Sequence, residues 1–320
     1  MKKRYLLIVV FFLFLNYGCK KDPEPPCITC QTTIDSSKIN RKVLLIGIDG
    51  FRSDALLSTS TPFIYDMIID SSINKYHNLS HVVEEYTLSG PNWSSILTGV
   101  HYNKHNVIDN SFDNPNYIVY PSFFKYIENV LSYINTSSVV NWDPINDYIL
   151  SSTVDYCSSV DNDSMVFKTA YELLINSNPI RSDIIFLHFD EPDAMGHSYG
   201  FSPIVNEYVD KLTEIDFYVK TLFDIINNKR SNEQEDWLIL VVSDHGGDGT
   251  GHYDSSNPFI NQTVFIADHP SLSFKRNYIS SQVDLAPTIL SFLGIYDDEF
   301  FYKTDGNLIY YEDDKLTNYQ

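Results

Sequence analysis

The chain has 320 residues, enough for one large α/β domain or two small ones, and 43% of them are hydrophobic, so a sizeable core can form. The formal net charge of −20 excludes proteins that bind nucleic-acid polymers, because such binding needs clustered Lys and Arg. An acidic surface also repels phosphate-bearing ligands at long range. Any phosphate-bearing ligand would therefore need local positive charge, which bound divalent cations would supply.

The first residues form a targeting segment. Three basic residues at positions 2–4 precede the apolar run Tyr5–Leu15, and Cys19 follows a glycine. This order resembles a bacterial lipoprotein signal that is cut before a lipidated cysteine, although Asn16 stands where such signals usually carry Leu. We expect residues 1–18 to be a signal peptide. The mature protein would be exported to the bacterial cell envelope and anchored to the membrane through Cys19; plain secretion is the alternative.

Residues 19–40 are rich in Pro, Ser and Thr, and this composition predicts a flexible tether before a folded domain at residues 41–320. Cys27 and Cys30 lie in the tether with the spacing CxxC. In an exported tether this spacing favours a local disulfide or no chemistry, rather than the redox or metal site of a cytosolic protein.

The folded domain begins with the apolar run Lys42–Ile48, a predicted strand that ends at Asp49. A carboxylate there is either a ligand at the carboxyl end of a strand or part of an ordinary Asp-Gly turn. The next chemistry-bearing stretch is Thr87–Gly99, in which Ser89 precedes a predicted helix start. Ser89 is therefore either an N-cap or a nucleophile at a helix N-terminus, where an anion is stabilised.

The remaining segments alternate between strand and helix patterns, which predicts βαβ units. The predicted helices are Phe63–Ile69, Ser122–Ile134, Ser164–Ile175, Pro203–Lys229 and Ser281–Leu293, and the further strands are Ser137–Trp142, Asp183–Phe189, Trp237–Val242 and Gln262–Ala267. The fold class is therefore α/β, with a mostly parallel, doubly wound sheet and helices on both of its faces.

Residues of the types that bind metal ions follow two of these strands. Asp193 and His197 come after Asp183–Phe189 and are four residues apart, so one helical turn or a compact loop can bring them together. Asp244 and His245 end the strand Trp237–Val242, and His252 closes the glycine-rich loop that follows. Ligands collect outside the carboxyl ends of strands in open α/β sheets, and Asp and His suit a divalent cation such as zinc. Inside its strand, His188 is interpreted as a packed histidine.

These residues divide into two ligand sets with one hydroxyl between them. One set is Asp193, His197 and His252; the other is Asp49, Asp244 and His245, with Ser89 as a further ligand. Two ions roughly 4 Å apart can clamp the attacking and leaving oxygens of an in-line displacement. Metal contact also lowers the pKa of a hydroxyl, which would activate Ser89.

Six motifs, in this order, resemble the alkaline phosphatase superfamily, and within it the type I phosphodiesterase/nucleotide pyrophosphatase branch. They are IDGFR at Ile48–Arg52, SGPNWSSILTG at Ser89–Gly99, EPDAMGHSYG at Glu191–Gly200, SDHGG at Ser243–Gly247, GTGH at Gly249–His252 and VDLAPTILSFLG at Val283–Gly294. The resemblance implies a phosphodiesterase with two divalent ions, Zn²⁺ or alternatively Mn²⁺. It also implies a covalent phospho-enzyme on Ser89, where this branch usually has Thr, and contact between Asn92 and a phosphoryl oxygen.

Other readings stay open at this point. Thr87 is a rival nucleophile, and a phosphomonoesterase or a sulfatase-like hydrolase of the same superfamily is an alternative function. Sulfatases carry an Arg where this chain has Trp93, which disfavours that activity. A non-catalytic exported binding lipoprotein is a further alternative. The physiological substrate and the oligomeric state do not follow from the sequence.

Overall fold

The computed structural model of the protein describes residues 41–151, 153–175, 182–295 and 298–312. The predicted signal peptide, the predicted tether with Cys27 and Cys30, and the predicted lipid-bearing Cys19 lie outside the described residues.

The described residues form one mixed sheet of seven strands in the order β2-β7-β6-β1-β5-β3-β4. The strands are β1 Arg41–Ile48, β2 Lys75–Val82, β3 Thr136–Val140, β4 Tyr156–Ser159, β5 Ile184–Phe189, β6 Asp236–Val242 and β7 Gln262–Asp268. β6, β1, β5, β3 and β4 pair in parallel, and β7 pairs antiparallel with both β6 and β2. The predicted mostly parallel α/β sheet is confirmed.

The helices cover both faces of this sheet, as predicted. They are α1 Pro62–Ile69, α2 Ser89–Thr98, α3 Tyr102–His105, α4 Phe123–Val130, α5 Asp163–Leu174, α6 Glu191–Tyr199, α7 Asn206–Asn232, α8 Pro258–Asn261, α9 Leu285–Phe292 and α10 Asp298–Lys303. Side chains of β1 alternate between the faces: Val43 and Leu45 pack with α2, α4 and α9, whereas Leu44 and Ile46 pack with α1, α5 and α7. Among the described helices, none is both long and apolar enough to cross a membrane.

Two strands were absent from the prediction, and both lie at the edges of the sheet. β2 (KYHNLSHV) is mostly polar and only partly buried, and β4 (YCSS) has four residues that are partly buried or exposed. Neither segment has the apolar run or the clean alternation by which a strand is recognised. The last predicted helix also differs, because Gln282–Asp284 forms a 3₁₀ turn before α9 begins at Leu285.

The strand order places the predicted ligands at one edge of the sheet. β1 lies between β5 and β6 and is parallel to both, so the three strands end on the same side. Asp49 follows β1, Asp193 lies in α6 directly after β5, and Asp244 follows β6. Three segments that are far apart in the chain therefore deliver carboxylates to a single crevice.

Candidate active site

Asp49 is the central side chain of the crevice and is 1% exposed. Its Oδ2 accepts hydrogen bonds from Trp93 Nε1 and His188 Nε2, each over 3.0 Å. Its Oδ1 is buried and has no hydrogen-bond partner, and it lies 3.5 Å from His245 Nε2. One carboxylate oxygen is therefore held by the protein while the other faces the crevice.

The first predicted ligand set is assembled at the end of β6. Asp49, Asp244 and His245 offer ligand atoms that all lie within 4.8 Å of one another. His245 Nε2 is 3.2 Å from Asp244 Oδ2, and both side chains are fully buried. On the far side of the ring, His245 Nδ1 donates to the Gly246 carbonyl over 2.9 Å. The Nε2 lone pair is thus directed at the carboxylates.

The second predicted set lies beside the first. Asp193 and His197 are one turn apart on α6, with 3.3 Å between Asp193 Oδ2 and His197 Nε2. His252 Nε2 lies 3.8 Å from Asp193 Oδ1 and 3.1 Å from His197 Nε2. A combination that mixes the two sets, Asp193, His245 and His252, also brings its ligand atoms within 4.8 Å of one another. The two sets therefore form one continuous cluster.

The histidines of this cluster present lone pairs to one another. His197 Nδ1 donates to the Thr250 carbonyl over 3.0 Å, and His252 Nδ1 donates to the Thr87 carbonyl over 2.5 Å. Both Nε2 atoms are then unprotonated, and two such atoms 3.1 Å apart repel each other unless a cation or a proton lies between them. Histidine metal ligands are typically held in this way, with the other ring nitrogen bound to a carbonyl or carboxylate.

The carboxylates of the cluster also require a positive charge nearby. Asp49 Oδ1, Asp193 Oδ1 and Asp244 Oδ2 are buried oxygens without a hydrogen-bond partner. A buried carboxylate oxygen is costly unless a donor or a cation satisfies it. The residues present therefore fit divalent cations with mixed nitrogen and oxygen ligands.

Burial and the neighbouring groups also shift the pKa values of the side chains in this cluster. Burial, and then the charge of Asp49, raises the pKa of Asp193 and of Asp244 well above the usual range. In Asp49, burial acts in the same direction, but the hydrogen bond from His188 and the charges of His245 and His188 outweigh it, so the pKa is lowered. Burial, and then the neighbouring His245, lowers the pKa of His252 to about 3. At neutral pH the imidazole of His252 is therefore uncharged, and its Nε2 is free to bind a cation.

Ser89 is the first residue of α2, and its Oγ lies 3.3 Å from His245 Nε2. A hydroxyl at a helix N-terminus and beside a metal-type histidine is placed to act as a nucleophile. Thr87, the rival nucleophile, has a different contact, because its hydroxyl donates to the carbonyl of His252. Thr87 thus braces the loop that carries His252, and its oxygen faces protein backbone.

Asn92, which is predicted to contact a phosphoryl oxygen, makes its hydrogen bonds to backbone groups. Its Oδ1 accepts from Glu84 N–H over 2.8 Å, and its Nδ2 donates to the carbonyls of Tyr86 and Leu88. The side chain is fully buried, and both amide hydrogens are used. Asn92 therefore shapes the segment before Ser89 and has no hydrogen left for a phosphoryl oxygen.

A different asparagine contacts the start of α2. Asn110 is exposed, and its Oδ1 accepts from Gly90 N–H over 2.8 Å. This bond ties the loop that carries Asn110 to the residue that follows Ser89. Sequence reasoning missed Asn110 because it lies 21 residues after Ser89 in a loop; the turn-rich run IDNSFDNP was the available signal.

The arginine of the first motif ties the loops of the crevice together. Arg52 is 4% exposed, and its guanidinium donates to the carbonyls of Phe201 and Gly247 and to both carboxylate oxygens of Asp54. It also lies over the ring of Phe259, with 4.1 Å to the centroid. The charge of Arg52 is thus used in contacts that hold together the loops around the candidate cation ligands.

Comparison with known proteins gives a consistent picture. The sequence profile described as type I phosphodiesterase/nucleotide pyrophosphatase matches residues 43–146 and 132–267, which together make up more than half of the chain. A human bis(5′-adenosyl)-triphosphatase, ENPP4, is 28% identical over 262 residues, covering 75% of this chain and 52% of the relative. Human ectonucleotide pyrophosphatase/phosphodiesterase family member 5 is 25% identical over 239 residues, covering 68% of this chain and 47% of the relative. The chain thus spans about half the length of the curated relatives it matches.

Solved structures share the fold. An inactive variant of mouse ectonucleotide pyrophosphatase/phosphodiesterase 5, in complex with AMP, superposes with a TM-score of 0.61 at 15% identity, covering 79% of this chain and 95% of that chain. BT1596, a 2-O glycosaminoglycan sulfatase, superposes with a TM-score of 0.62 at 12% identity, covering 84% of this chain and 73% of that chain. At these identities the likeness shows the fold alone.

Proposed function

Because the chain belongs to the metal-dependent type I phosphodiesterase/nucleotide pyrophosphatase family of the alkaline phosphatase superfamily, we propose that it hydrolyses small phosphodiesters of nucleotide type. One observation carries this proposal. Ser89 Oγ stands at the head of α2, 3.3 Å from His245 Nε2, within a cluster in which each of three buried carboxyl groups has one oxygen without a hydrogen-bond partner. A nucleophile and a cation cradle in contact are the two parts that phosphoryl transfer needs.

Two divalent cations would be held by the two ligand sets: Asp49, Asp244 and His245 with Ser89, and Asp193, His197 and His252. Zinc suits these nitrogen and oxygen ligands best, and manganese is the alternative. When bound, the cations would lower the pKa of the Ser89 hydroxyl and neutralise charge on the phosphoryl group.

The chain's own part of the reaction starts at Ser89. Its Oγ loses its proton to solvent, attacks phosphorus and forms a new P–O bond. The bond to the leaving alcohol or phosphate breaks, and that group departs with the electron pair and takes up a proton from solvent. Water then hydrolyses the phospho-Ser89 ester and regenerates the hydroxyl. In both steps the equatorial phosphoryl oxygens carry negative charge, which the amide of Asn110 is placed to stabilise.

A diester substrate is favoured over a monoester because the guanidinium of Arg52 is already paired with other groups of the protein. A monoester carries a second negative charge on its phosphoryl group, and this charge needs an available cationic side chain. Arg52 is bound to Asp54 and to two carbonyls and is 4% exposed. The names of the relatives support a nucleotide substrate: one is a bis(5′-adenosyl)-triphosphatase, and a structural neighbour binds AMP.

The site of action would be outside the cytoplasm. The proposed chain order is a signal peptide at residues 1–18, a tether at 19–40 and the catalytic domain at 41–320, with a lipid on Cys19 anchoring the protein in the bacterial envelope. The prefix "ecto" in the names of several relatives agrees with export.

Loading of the purified metal-free protein with zinc should give about two ions per chain by elemental analysis. Because the pKa values of Asp193 and Asp244 are raised, their carboxyls hold protons that a cation must displace, so binding should release protons and weaken as the pH falls. Calorimetry in two buffers with different ionisation enthalpies measures that release. Fewer than one ion per chain, or binding without proton release, would count against the two-cation cluster.

Replacing Ser89 with Ala should lower kcat by at least about a thousandfold, roughly 4 kcal/mol of transition-state stabilisation, because the attacking oxygen is lost while the fold stays intact. Ser89→Thr keeps a hydroxyl and should stay within about tenfold of the wild type. The measurement is turnover of a chromogenic nucleotide diester, with phosphomonoester, sulfate and phosphonate esters in parallel. If Ser89→Ala remains active and Thr87→Ala abolishes turnover, the nucleophile has been misassigned.

Replacing Asn110 and Asn92 separately with Ala distinguishes a role in catalysis from a role in packing. Asn110→Ala removes a donor beside the phosphoryl group and should lower kcat by roughly 10²–10³-fold with little change in melting temperature. Asn92→Ala leaves Glu84 N–H and two carbonyls without partners and should cost about 1–3 kcal/mol of unfolding free energy. Turnover per folded molecule and thermal unfolding distinguish the two. The reverse pattern would restore Asn92 to the site.

Cys19→Ser should release the protein from the membrane fraction of the producing cells, because the lipid-bearing thiol is gone. The same variant should also keep its signal peptide and migrate more slowly on a denaturing gel. Cys27→Ser is the matched control and should remain in the membrane fraction. Unchanged fractionation and mobility of Cys19→Ser would show that Cys19 is not lipidated.

A further inference from the structure

Asp49 is gripped from two sides by nitrogen donors that do not belong to the proposed ligand sets. Trp93 Nε1 and His188 Nε2 both lie 3.0 Å from the same oxygen, Oδ2. Trp93 and His188 are 0% exposed, and their rings meet edge to face with 4.9 Å between centroids. Two charge-assisted hydrogen bonds on one oxygen leave the carboxylate a single orientation, with Oδ1 towards the crevice.

The backbone of β1 and β5 makes room for this grip. Gly47 pairs with His188 in the parallel register, two residues before Asp49. A Cβ on Gly47 would lie 2.3 Å from Cη2 of Trp93, closer than any carbon contact allows. Only glycine therefore lets the indole lie across β1 and reach Asp49. Without that approach the indole N–H would be too far from the carboxylate.

Trp93 also links Asp49 to the nucleophile. It lies on α2 four residues after Ser89, one helical turn away along the same helix. Any shift of α2 along its axis would move Ser89 Oγ and Trp93 Nε1 together. The hydrogen bond to Asp49 thus fixes the helix relative to the end of β1, from which one proposed cation ligand comes.

His188 has a second possible role, which its geometry argues against. Asp49, His188 and Asp190 bring ligand atoms within 4.8 Å of one another, a grouping that could hold a cation. However, the Nε2 of His188 faces Asp49 Oδ2 at hydrogen-bond distance, so it must carry a proton to avoid a clash of lone pairs. Its Nδ1 is buried and has no hydrogen-bond partner. His188 is therefore the Nε2–H tautomer, which donates and does not ligate through that atom.

We propose that Trp93 and His188 are positioning residues, which select Oδ1 of Asp49 as the cation-binding oxygen and lock its direction. This inference rests on the proposed function only for the identity of the cluster as a cation site. Neither residue touches the substrate. Removal of either donor lets the carboxylate rotate, so the cation bound by Asp49, Asp244 and His245 loses a preoriented ligand while the other cation keeps all of its own.

The test measures cation affinity of the metal-free protein by competition with a chromogenic zinc chelator, without any substrate. Trp93→Phe and His188→Phe keep a ring and lose the N–H donor, and each should weaken one of the two zinc ions by roughly 10–100-fold while the other changes by less than about threefold. His188→Gln keeps an N–H donor and should recover most of the loss. Trp142→Phe is the matched control, because Trp142 lies near His188, at 6.5 Å between ring centroids, and should bind both ions as the wild type does.

Two outcomes would overturn the proposal: wild-type affinity for both ions in the donor-less variants, or an equal loss at both ions, which would indicate general loosening of the fold. If the variants do not fold, the wild-type protein still decides. ¹⁵N-histidine NMR should show His188 as the Nε2–H tautomer both without and with zinc, and loss of that proton on zinc binding would make His188 a ligand instead. The zinc competition needs no turnover, and this separates the proposal from the proposed function. A protein that binds two zinc ions and hydrolyses no nucleotide diester would refute the proposed function and leave the role of Trp93 and His188 to be decided by the affinities alone.

Discussion

The whole crevice depends on the mutual repulsion of buried carboxylates. Asp49 follows β1, Asp244 follows β6, and Asp193 lies in α6 directly after β5. Each of these carboxyl groups has one buried oxygen without a hydrogen-bond partner. Like charges at this depth cannot all be ionised without a counter-charge. They meet because β1 lies between β5 and β6 and is parallel to both, so that the three strands end on the same side of the sheet. A cluster that is costly when empty of positive charge is one that binds cations strongly, and the surrounding histidines, with their lone pairs turned inward, complete it.

Helix α2 is the second organising element, because one short helix carries Ser89, the proposed nucleophile, together with the residues that hold it in place. Ser89 opens the helix, Gly90 N–H orients Asn110, Asn92 holds the preceding segment, and Trp93 contacts Asp49. The helix is buried along its whole length. The relative placement of hydroxyl, amide and carboxylate therefore follows from backbone geometry and does not rely on long, flexible side chains.

Much of this arrangement could be predicted from the sequence, and the exceptions have physical causes. Apolar runs that stop at Asp49 and Asp244 indicate buried strands with polar ends, so the sheet and the clustering of these side chains at one edge follow from local pattern. Edge strands such as β2 bury only part of one face, and their composition stays close to that of a loop. The roles of Asn92 and Asn110 depend on which way an amide points, a property of tertiary packing that spacing along the chain does not encode. His188 is a packed residue, as predicted, and its hydrogen bond to Asp49 depends in the same way on ring orientation.

The contact between Gly47 and the indole of Trp93 carries an evolutionary consequence. The indole of Trp93 fits only because position 47 has no side chain. Neither can drift alone: a larger residue at position 47 forces a smaller one at 93, and Asp49 then loses a donor that some third residue must replace. Relatives that lack the glycine should therefore differ at both positions at once, and this paired change would mark lineages in which the aspartate is oriented by other means.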